Sequence, residues 1–501
     1  MVACTSQGSE VTDGRDLSLA NRLFGVGYQD ISDIYIDDLT MADLAIAGLE
    51  NLTSIEPNVE VKRTGNRLVL SIAGQQKANF VMPALNDASS WGKLTATALR
   101  VGRSQSTELE SASPEEVYEA VFDGVLKELD NFSRYAGRDE ARENRASRDG
   151  FGGIGVRIRL VDEGVKILSV MENTPAERSG LLDNDVITNI DDESTSGLSQ
   201  REVVRRLRGP LRSKVELTVA RAGETAALGI SIVRAHIVPQ TVKFARRGKA
   251  AVLKVSGFNQ STSLTLREKI KFATHEIGPD LTGFILDLRG NPGGLLDQAV
   301  AVSDLFIRQG RIVSTHGRHP DSHQYFDAEP DDVAREKPVV VLINGNSASA
   351  SEIVASALQD SGRAVVVGSG SFGKGTVQTV LRLPNEGELT LTWARFHAPS
   401  GYALSGRGVL PDVCTTGNVE DAAAVVTRLR QGLLPIDRAA RNRNVDEDDK
   451  AGIEKLRSYC PARQTDPDID IEVAQRLLEE PELFARALTG KASETAQLGS
   501  D

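Results

Sequence analysis

The segment Gly283-Phe-Ile-Leu-Asp-Leu-Arg-Gly-Asn-Pro-Gly-Gly294 gives the clearest indication of the fold class of this 501-residue chain. Its first half, Gly283–Leu288, is a short and almost continuous apolar run, which is typical of a strand buried on both faces. Its second half is a turn-rich loop, and a helical pattern follows. The same alternation recurs around the strand-like run Val339–Ile343. Repeated over about 236–420, it predicts an α/β (α+β) core built on a mixed sheet.

Two polar loops follow strand-like runs in this block. Ser349 lies in Asn346-Ser-Ala-Ser-Ala-Ser-Glu352, and Lys374 lies in Ser371-Phe-Gly-Lys-Gly-Thr376. A serine hydroxyl becomes an effective nucleophile when a base takes its proton, and a lysine amine can be that base if burial lowers its pKa. The pair therefore indicates a Ser-Lys dyad and a hydrolase. A Ser-His-Asp triad is less favoured because Ser349 has no Gly-x-Ser-x-Gly elbow, although the sequence excludes none of the histidines.

Each of these two residues also has a competing interpretation. Ser349-Ala-Ser-Glu352 is a capping-box pattern at the start of a helix. The free N–H of Ala350 at that terminus could also stabilise an oxyanion. Gly368-Ser-Gly-Ser-Phe-Gly-Lys374 matches the first seven positions of a phosphate-binding loop, which would indicate a P-loop nucleotide hydrolase. Gly375 stands where that motif needs Ser or Thr, so the nucleotide alternative is disfavoured.

A β-rich block over about 151–235 precedes the core. It opens with Phe151-Gly-Gly-Ile-Gly-Val-Arg-Ile158, contains one helix at Ser199–Leu207, and closes with strand-like runs. This order of turns, strands and helix resembles a PDZ domain. The resemblance implies that the loop Gly153–Val156 offers backbone N–H groups to a C-terminal carboxylate and that the peptide adds as an extra strand. The substrate-binding residues implied are Gly153, Ile154, Gly155, Val156, Val204 and Leu207.

Three motifs after this block carry a family resemblance. They are Asp287-Leu-Arg-Gly-Asn-Pro-Gly-Gly294, Asn346–Glu352 and Phe372-Gly-Lys-Gly-Thr-Val-Gln378. In this order and spacing they resemble the C-terminal processing peptidases, also called tail-specific proteases, over about 114–415. The fold implied is a peptidase core of β-sheet and helices with the PDZ domain inserted.

The resemblance also implies roles for residues and partners. The catalytic residues would be the nucleophile Ser349, the general base Lys374 and Gln378, which would orient the lysine. The oxyanion hole would use the N–H groups of Ala350 and Gly293, with Gly294 as the second choice. The function implied is a serine endopeptidase that cleaves proteins near or from their C-termini, with no cofactor or metal and with a PDZ domain that can also gate the site. The alternative is a non-catalytic PDZ scaffold or adaptor on the same fold.

The charge, the apolar runs and the His and Cys content of the chain indicate which classes of partner to expect. Lys and Arg number 58 against 70 Asp and Glu, and the resulting net charge of −12 disfavours nucleic-acid binding. No apolar run approaches the roughly 18 residues that a membrane-spanning helix needs. Six His and three scattered Cys form no metal-ligand pattern. The expected partner is a protein or peptide with a free C-terminus, together with a homo-oligomer or an activating adaptor.

The cysteines suggest a compartment. Met1-Val-Ala-Cys4 resembles the end of a bacterial lipoprotein signal, in which the cysteine is lipidated; a chance cysteine is the alternative. A lipid on Cys4 would be the only membrane attachment. The expected location is the bacterial periplasm or cell envelope, where Cys414 and Cys460 could pair.

Five regions are expected along the chain. They are an N-terminal helical and β region at 1–112, a helix and linker at 113–150, the PDZ domain at 151–235, the Ser-Lys peptidase core at 236–420 and a helical tail at 421–501. Within them, the patterns predict helix over 17–51, strands over 57–82, a polar loop over 83–112, a helix over 114–129, an exposed linker over 138–149 and a tail helix over 471–488. The start of the helix over 114–129 is marked by Ser113-Pro-Glu-Glu116, with Ser113 as the cap and Glu116 three residues on.

Overall fold

The computed structural model describes residues 9–417, 421–433, 445–446 and 448–489. Cys4 and the lipid proposed for it lie outside the described residues. The N-terminal region contains α1 (Ser9–Ile34), α2 (Met41–Glu50), β1 (Val59–Thr64), β2 (Arg67–Ile72), β3 (Gln75–Val81), α3 (Ala88–Gln105), α4 (Thr107–Ser111) and α5 (Pro114–Lys127). The predicted helices over 17–51 and strands over 57–82 are confirmed. So is the capping box that starts α5, in which Ser113 and Glu116 exchange hydrogen bonds of 2.7 and 3.2 Å.

The predicted polar loop over 83–112 is wrong, because most of it forms α3. This helix buries Trp91 completely and packs against α1. Gly92 allows the close approach, since a Cβ there would lie 2.5 Å from the backbone nitrogen of Gly25. The serine, threonine and glycine residues of α3 weaken the apolar pattern on which the prediction depended.

The predicted linker over 138–149 is also wrong. The segment after β4 (Arg134–Ala136) forms the helix α6 (Arg138–Asp149). Arg145 and Arg148 donate to the buried carboxylate of Glu388 at 3.0 and 2.8 Å. The charges that made this segment look solvated therefore anchor it to the core.

The PDZ-like block folds as one unit. It contains β5 (Phe151–Gly153), β6 (Val156–Val161), β7 (Gly164–Val170), α7 (Pro175–Arg178), β8 (Val186–Ile190), β9 (Glu193–Ser194), α8 (Gln200–Leu207), β10 (Lys214–Ala220) and β11 (Leu228–Val233). Its main sheet has the order β11-β10-β8-β7-β6, so that β6 is an edge strand. Val165, Ile167, Val203 and Val215 form part of its own buried core. The block predicted to be a PDZ domain thus has a sheet and a buried core of its own.

The core contains two large sheets together with the short strand Ala235–Ile237, which pairs with β5. Its elements are β12 (Ala235–Ile237), β13 (Val242–Arg247), β14 (Ala250–Val255), α9 (Thr262–Ile277), β15 (Gly283–Asp287), α10 (Leu296–Asp304), β16 (Arg311–His316), β17 (Gln324–Asp327), β18 (Val339–Ile343), α11 (Ala350–Asp360), β19 (Ala364–Gly368), β20 (Thr376–Arg382), β21 (Glu388–His397) and β22 (Val413–Cys414). The first sheet has the order β13-β14-β15-β18-β19-β22, with β13 antiparallel and the remaining pairs parallel. The second has the order β17-β16-β21-β20, and β4 pairs with β21. The predicted α/β (α+β) fold with a mixed sheet is confirmed.

The described tail residues form α12 (Ala422–Arg430), α13 (Lys450–Ser458), α14 (Asp468–Glu479) and α15 (Pro481–Thr489). The single helix predicted over 471–488 is wrong, because Pro481 starts a new helix after the extended residue Glu480. Leu477 of α14 packs in one cluster with Ile285 and Val340, which lie on the first sheet. A disulfide joins Cys414 to Cys460, as the sequence had suggested. Within the described ranges, no helix has the length and apolarity needed to cross a bilayer.

Candidate active site

Three loops meet at one edge of the first sheet. They follow the parallel strands β15, β18 and β19, and the carboxyl ends of parallel strands lie at the same edge. These loops carry the Asn-Pro-Gly-Gly motif, Ser349 and Lys374. The sheet order therefore brings the three sequence motifs together.

Ser349 caps α11 in an unusual backbone conformation. Its φ of 55° and ψ of −115° are uncommon for a residue other than glycine. Its N–H donates to Glu352 Oε2 at 2.8 Å, and the Glu352 N–H donates to the Ser349 carbonyl oxygen at 2.8 Å. The capping interpretation of the sequence is therefore compatible with the nucleophile interpretation, because main-chain groups of Ser349 take part in the cap.

The Asn-Pro-Gly-Gly motif, called the glycine loop below, lies directly against Ser349. Gly293 has a φ of 105°, and a Cβ on it would lie 2.9 Å from Ser349 Cβ and 3.1 Å from the Ala350 nitrogen. A side chain at this position would therefore collide with the candidate nucleophile. Since Ala350 is the first residue of α11, its N–H has no acceptor within the helix.

The two glycine N–H groups differ in their partners. The Gly293 N–H donates to Asn291 Oδ1 at 2.9 Å. For Gly294, no acceptor of its N–H lies among the described residues, and a Cβ there would lie 2.2 Å from the carbonyl oxygen of Phe258. Among the described residues, the N–H of Gly294, the second choice from sequence, is therefore the one of the two without an acceptor.

Lys374 is half-buried and its amine faces an aromatic ring. Its Nζ lies 4.8 Å from the centroid of Phe132. Burial lowers the pKa of Lys374 below its ordinary value, and the positive charge of Arg134 lowers the pKa further. No hydrogen bond between Lys374 Nζ and Ser349 occurs in the described part of the chain. The amine is therefore desolvated, as a general base requires, but it lies on Phe132.

Gln378 lies on β20 beside the same loop. Its Nε2 donates to Thr376 Oγ1 at 2.9 Å and to Thr392 Oγ1 at 3.2 Å. Within the described residues, no hydrogen bond links Gln378 to Lys374. The orienting role of Gln378 stays a prediction.

Sequence reasoning missed two functional candidates. Phe132 lies in no motif, and only the fold reveals its contact with Lys374. Glu352 was recognised only as a cap, yet its carboxylate also accepts the Lys374 N–H at 2.9 Å. Its position three residues after Ser349 was the available signal.

The structure distributes the predicted PDZ residues between the core and the edge of that domain. Ile154, Val156 and Leu207 belong to one apolar cluster, with Ile154 and Leu207 buried and Val156 partly exposed. Val204 is partly exposed on α8, outside that cluster. The two glycines shape the loop before β6. Gly153 pairs with Ala235 of β12, and Gly155 has a φ of 90° with no room for a Cβ beside Thr174.

The nucleotide-binding alternative fails on local structure. A phosphate-binding loop leads into a helix whose N-terminus faces the phosphates, whereas Lys374 is followed by the strand β20. His316 packs against His323 and His397, with ring centroids 5.3 and 5.1 Å apart. No hydrogen bond joins any of these three histidines to Ser349 in the described part of the chain. No group of three or more His, Cys, Asp or Glu in the described ranges is arranged to hold a metal ion.

Comparisons with known proteins agree with these motifs. The family model described as peptidase family S41 matches residues 249–415, and the PDZ domain model matches residues 152–232. A carboxy-terminal-processing protease of Bartonella bacilliformis is 42% identical over 301 residues, which are 60% of this chain and 69% of that relative. A probable CtpA-like serine protease of Staphylococcus aureus is 34% identical over 305 residues, which are 60% of each chain. Among solved structures, the photosystem II D1 C-terminal processing protease is 22% identical, covers 79% of this chain and 95% of its own, and has a TM-score of 0.39.

The match to the Bartonella bacilliformis relative is 42% identical and spans more than two thirds of that relative's length. Together with the two family models, it establishes the family. The chain belongs to the carboxy-terminal-processing serine proteases of peptidase family S41 and carries a PDZ domain.

Proposed function

We propose that the protein is a serine endopeptidase that cleaves protein substrates near or from their C-termini, with Ser349 as nucleophile and Lys374 as general base. One observation carries the proposal: Ser349, at the start of α11, lies against the glycine loop and beside the loop of a half-buried lysine. A serine cap on an ordinary helix would need neither neighbour. Gln378 would help to orient the lysine once its amine turns toward Ser349.

The chemistry needs the neutral amine. Neutral Lys374 accepts the proton of the Ser349 hydroxyl, and the oxygen attacks the peptide carbonyl carbon to give a tetrahedral oxyanion. Lys374 then protonates the leaving amine as the C–N bond breaks and the acyl-enzyme forms. Water hydrolyses the ester, again with Lys374 as base. The burial that lowers the pKa of Lys374 supports this role, because it leaves more of the amine neutral at a given pH.

The oxyanion hole would combine two main-chain donors. The N–H of Ala350 is one, because it stands at the positive end of α11 without an acceptor in the helix. The other comes from the glycine loop, at Gly293 or Gly294. The hydrogen bond from the Gly293 N–H to Asn291 favours Gly294.

The PDZ domain would bind the substrate C-terminus. The edge strand β6 can accept an added strand, and the loop Gly153–Val156 would receive the carboxylate. Because Lys374 Nζ lies on Phe132, the amine must move before it can reach Ser349. Occupation of the PDZ groove would favour that movement and so gate the site.

The proposed setting is a bacterial periplasm or cell envelope, with a lipid on Cys4 as anchor. The Cys414–Cys460 disulfide supports an oxidising compartment. A homo-oligomer or an activating adaptor would be the further partner.

The test compares wild type with Ser349→Ala and Lys374→Ala on an unstructured protein substrate. Cleavage by wild type and its loss in both variants would support the dyad. The second candidate is a non-catalytic PDZ scaffold, and the position of Lys374 on Phe132 favours it. Absence of cleavage by wild type, even with candidate adaptors present, would establish the scaffold instead.

A further inference from the structure

Glu352 is a fully buried acid between the two catalytic loops. The residue lies in the first turn of α11 and has no exposed surface. Its carboxylate accepts four hydrogen bonds from both loops. Oε1 accepts from Ser371 Oγ at 2.5 Å and from Gly373 N at 2.7 Å, and Oε2 accepts from Ser349 N at 2.8 Å and from Lys374 N at 2.9 Å.

The four partners together favour an ionised carboxylate. Three of them are main-chain N–H groups, which can only donate. The fourth, the Ser371 hydroxyl, accepts from the Val409 N–H at 2.7 Å and therefore has its own proton free for Glu352. Burial raises the pKa of Glu352, and the four donors oppose that rise. An amide could not replace this group, because its NH₂ would face donors.

A helix cap would need only one of these bonds. The bond to Ser349 N spans three residues, but the other three reach a loop that lies 19 to 22 residues further along the chain. Moreover, Oε2 alone bonds the main-chain N–H groups of both Ser349 and Lys374. This oxygen therefore fixes the positions of the two candidate catalytic residues relative to each other. It also helps to hold Ser349 in its strained conformation, with φ at 55°.

We propose that Glu352 is a positioning residue that locks the Ser349 loop to the Lys374 loop for catalysis. This inference rests on the proposed function of the site. The ionised carboxylate also acts on Lys374 through space, because its negative charge favours the ammonium form and raises the pKa of the lysine. Positioning and charge can therefore be separated by two different substitutions.

Glu352→Gln removes the charge and one pair of acceptor sites. Because the two loops then lose their fixed relative position, we expect kcat to fall at least about tenfold, with KM changed less than about threefold. A tenfold loss corresponds to about 1.4 kcal/mol of transition-state stabilisation. The acid limb of the pH profile of kcat/KM should move to lower pH, because the pKa of Lys374 falls. Glu352→Asp keeps the charge but shortens the side chain, so kcat should fall while the acid limb stays in place.

A matched control removes another carboxylate that accepts main-chain N–H groups. Asp332 accepts from the N–H groups of Ala334 and Glu336 at 2.9 and 2.8 Å, and its side chain is 5% exposed. Asp332→Asn should lower the melting temperature without moving the acid limb. Wild-type kcat and an unmoved acid limb in Glu352→Gln would overturn the proposal.

Hydrogen exchange tests the lock without relying on activity. In Glu352→Gln, the amides of 344–352 and of 371–378 should exchange faster together, and in Asp332→Asn neither segment should change. Faster exchange in the first segment alone would reduce Glu352 to a cap and overturn the inference. If wild type cleaves nothing, the proposed function fails while this measurement still decides the link between the loops. If Glu352→Gln does not fold, Glu352→Asp decides it by the same two readouts.

Discussion

The Nζ of Lys374 lies 4.8 Å from the centroid of the Phe132 ring. That ring belongs to the turn between α5 and β4. Asp130 holds the turn by accepting the N–H groups of Phe132 and Ser133, both at 2.7 Å. The hydroxyl of Tyr35, the first residue after α1, donates to Asp130 Oδ2 at 3.3 Å. The aromatic ring that contacts the amine of Lys374 is therefore positioned by the N-terminal part of the chain and not by the loop that carries Ser349.

Replacing the ring should release the amine. Phe132→Leu keeps an apolar side chain but removes the cation–π contact, which is worth about 0.5–1 kcal/mol. Because the amine must leave the ring to reach Ser349, we expect kcat on an unstructured substrate to rise about two- to fivefold. Phe272→Leu, at an exposed aromatic residue on α9, serves as the control. An unchanged or lower kcat in Phe132→Leu would contradict this account of the resting state.

Arg134 should control the pH dependence. After burial, its positive charge is the next cause that lowers the pKa of Lys374. Arg134→Gln removes that charge, so the pKa of the lysine rises and less of it is neutral at a given pH. The acid limb of kcat/KM should then move to higher pH, and salt should weaken the difference between variant and wild type. The control Arg308→Gln, which removes an exposed ion pair with Glu336, should leave the acid limb in place. A shift of the acid limb to lower pH in Arg134→Gln would refute the assignment of Lys374 as base.

Local patterns predicted the parts of the site that depend on local structure. The apolar runs before the two loops predicted β18 and β19, and parallel pairing then placed Ser349 and Lys374 at one edge. The cap at Ser113 was predicted for the same reason, since all its partners lie within three residues.

The parts that sequence could not predict depend on contacts between distant residues. Phe132 meets Lys374 across more than two hundred residues. The charges of α6 are satisfied by Glu388, 240 residues further along the chain from Arg148. Only the fold brings such partners together, and a charged segment without its partner resembles a solvated linker.

The disulfide should stabilise the attachment of the tail. It closes a loop with a sequence separation of 46 residues, which is worth up to about 4 kcal/mol in the chain-entropy model. Replacing both Cys414 and Cys460 by serine should therefore lower the denaturant midpoint of the unreduced protein, and reductant should do the same to wild type. Cys4→Ser is the control and should change neither. A thiol count on the unreduced wild type that shows Cys414 and Cys460 as free would exclude the bond.

The carboxylate loop of the PDZ domain should determine which peptides are cleaved. Gly155 has a φ of 90°, and a Cβ there would lie 2.3 Å from Thr174 Cβ, so Gly155→Ala must displace the loop before β6. We expect kcat/KM for a peptide with a free C-terminus to fall about tenfold, corresponding to about 1.4 kcal/mol. The same peptide with an amidated C-terminus lacks the charge that the loop would bind. It should therefore be a poor substrate of wild type, and the substitution should change its cleavage little.

Gly223→Ala separates the collision from backbone strain. Gly223 lies in the same domain and also has a φ of 90°, but a Cβ there would meet nothing within 4 Å. Its alanine variant therefore carries the strain of a positive φ without displacing the carboxylate loop. It should lower the melting temperature of the domain while preserving the preference for a free C-terminus. Equal losses on the free and amidated peptides in Gly155→Ala would mean that the PDZ loop does not read the carboxylate, and the groove would then act only through the strand edge of β6.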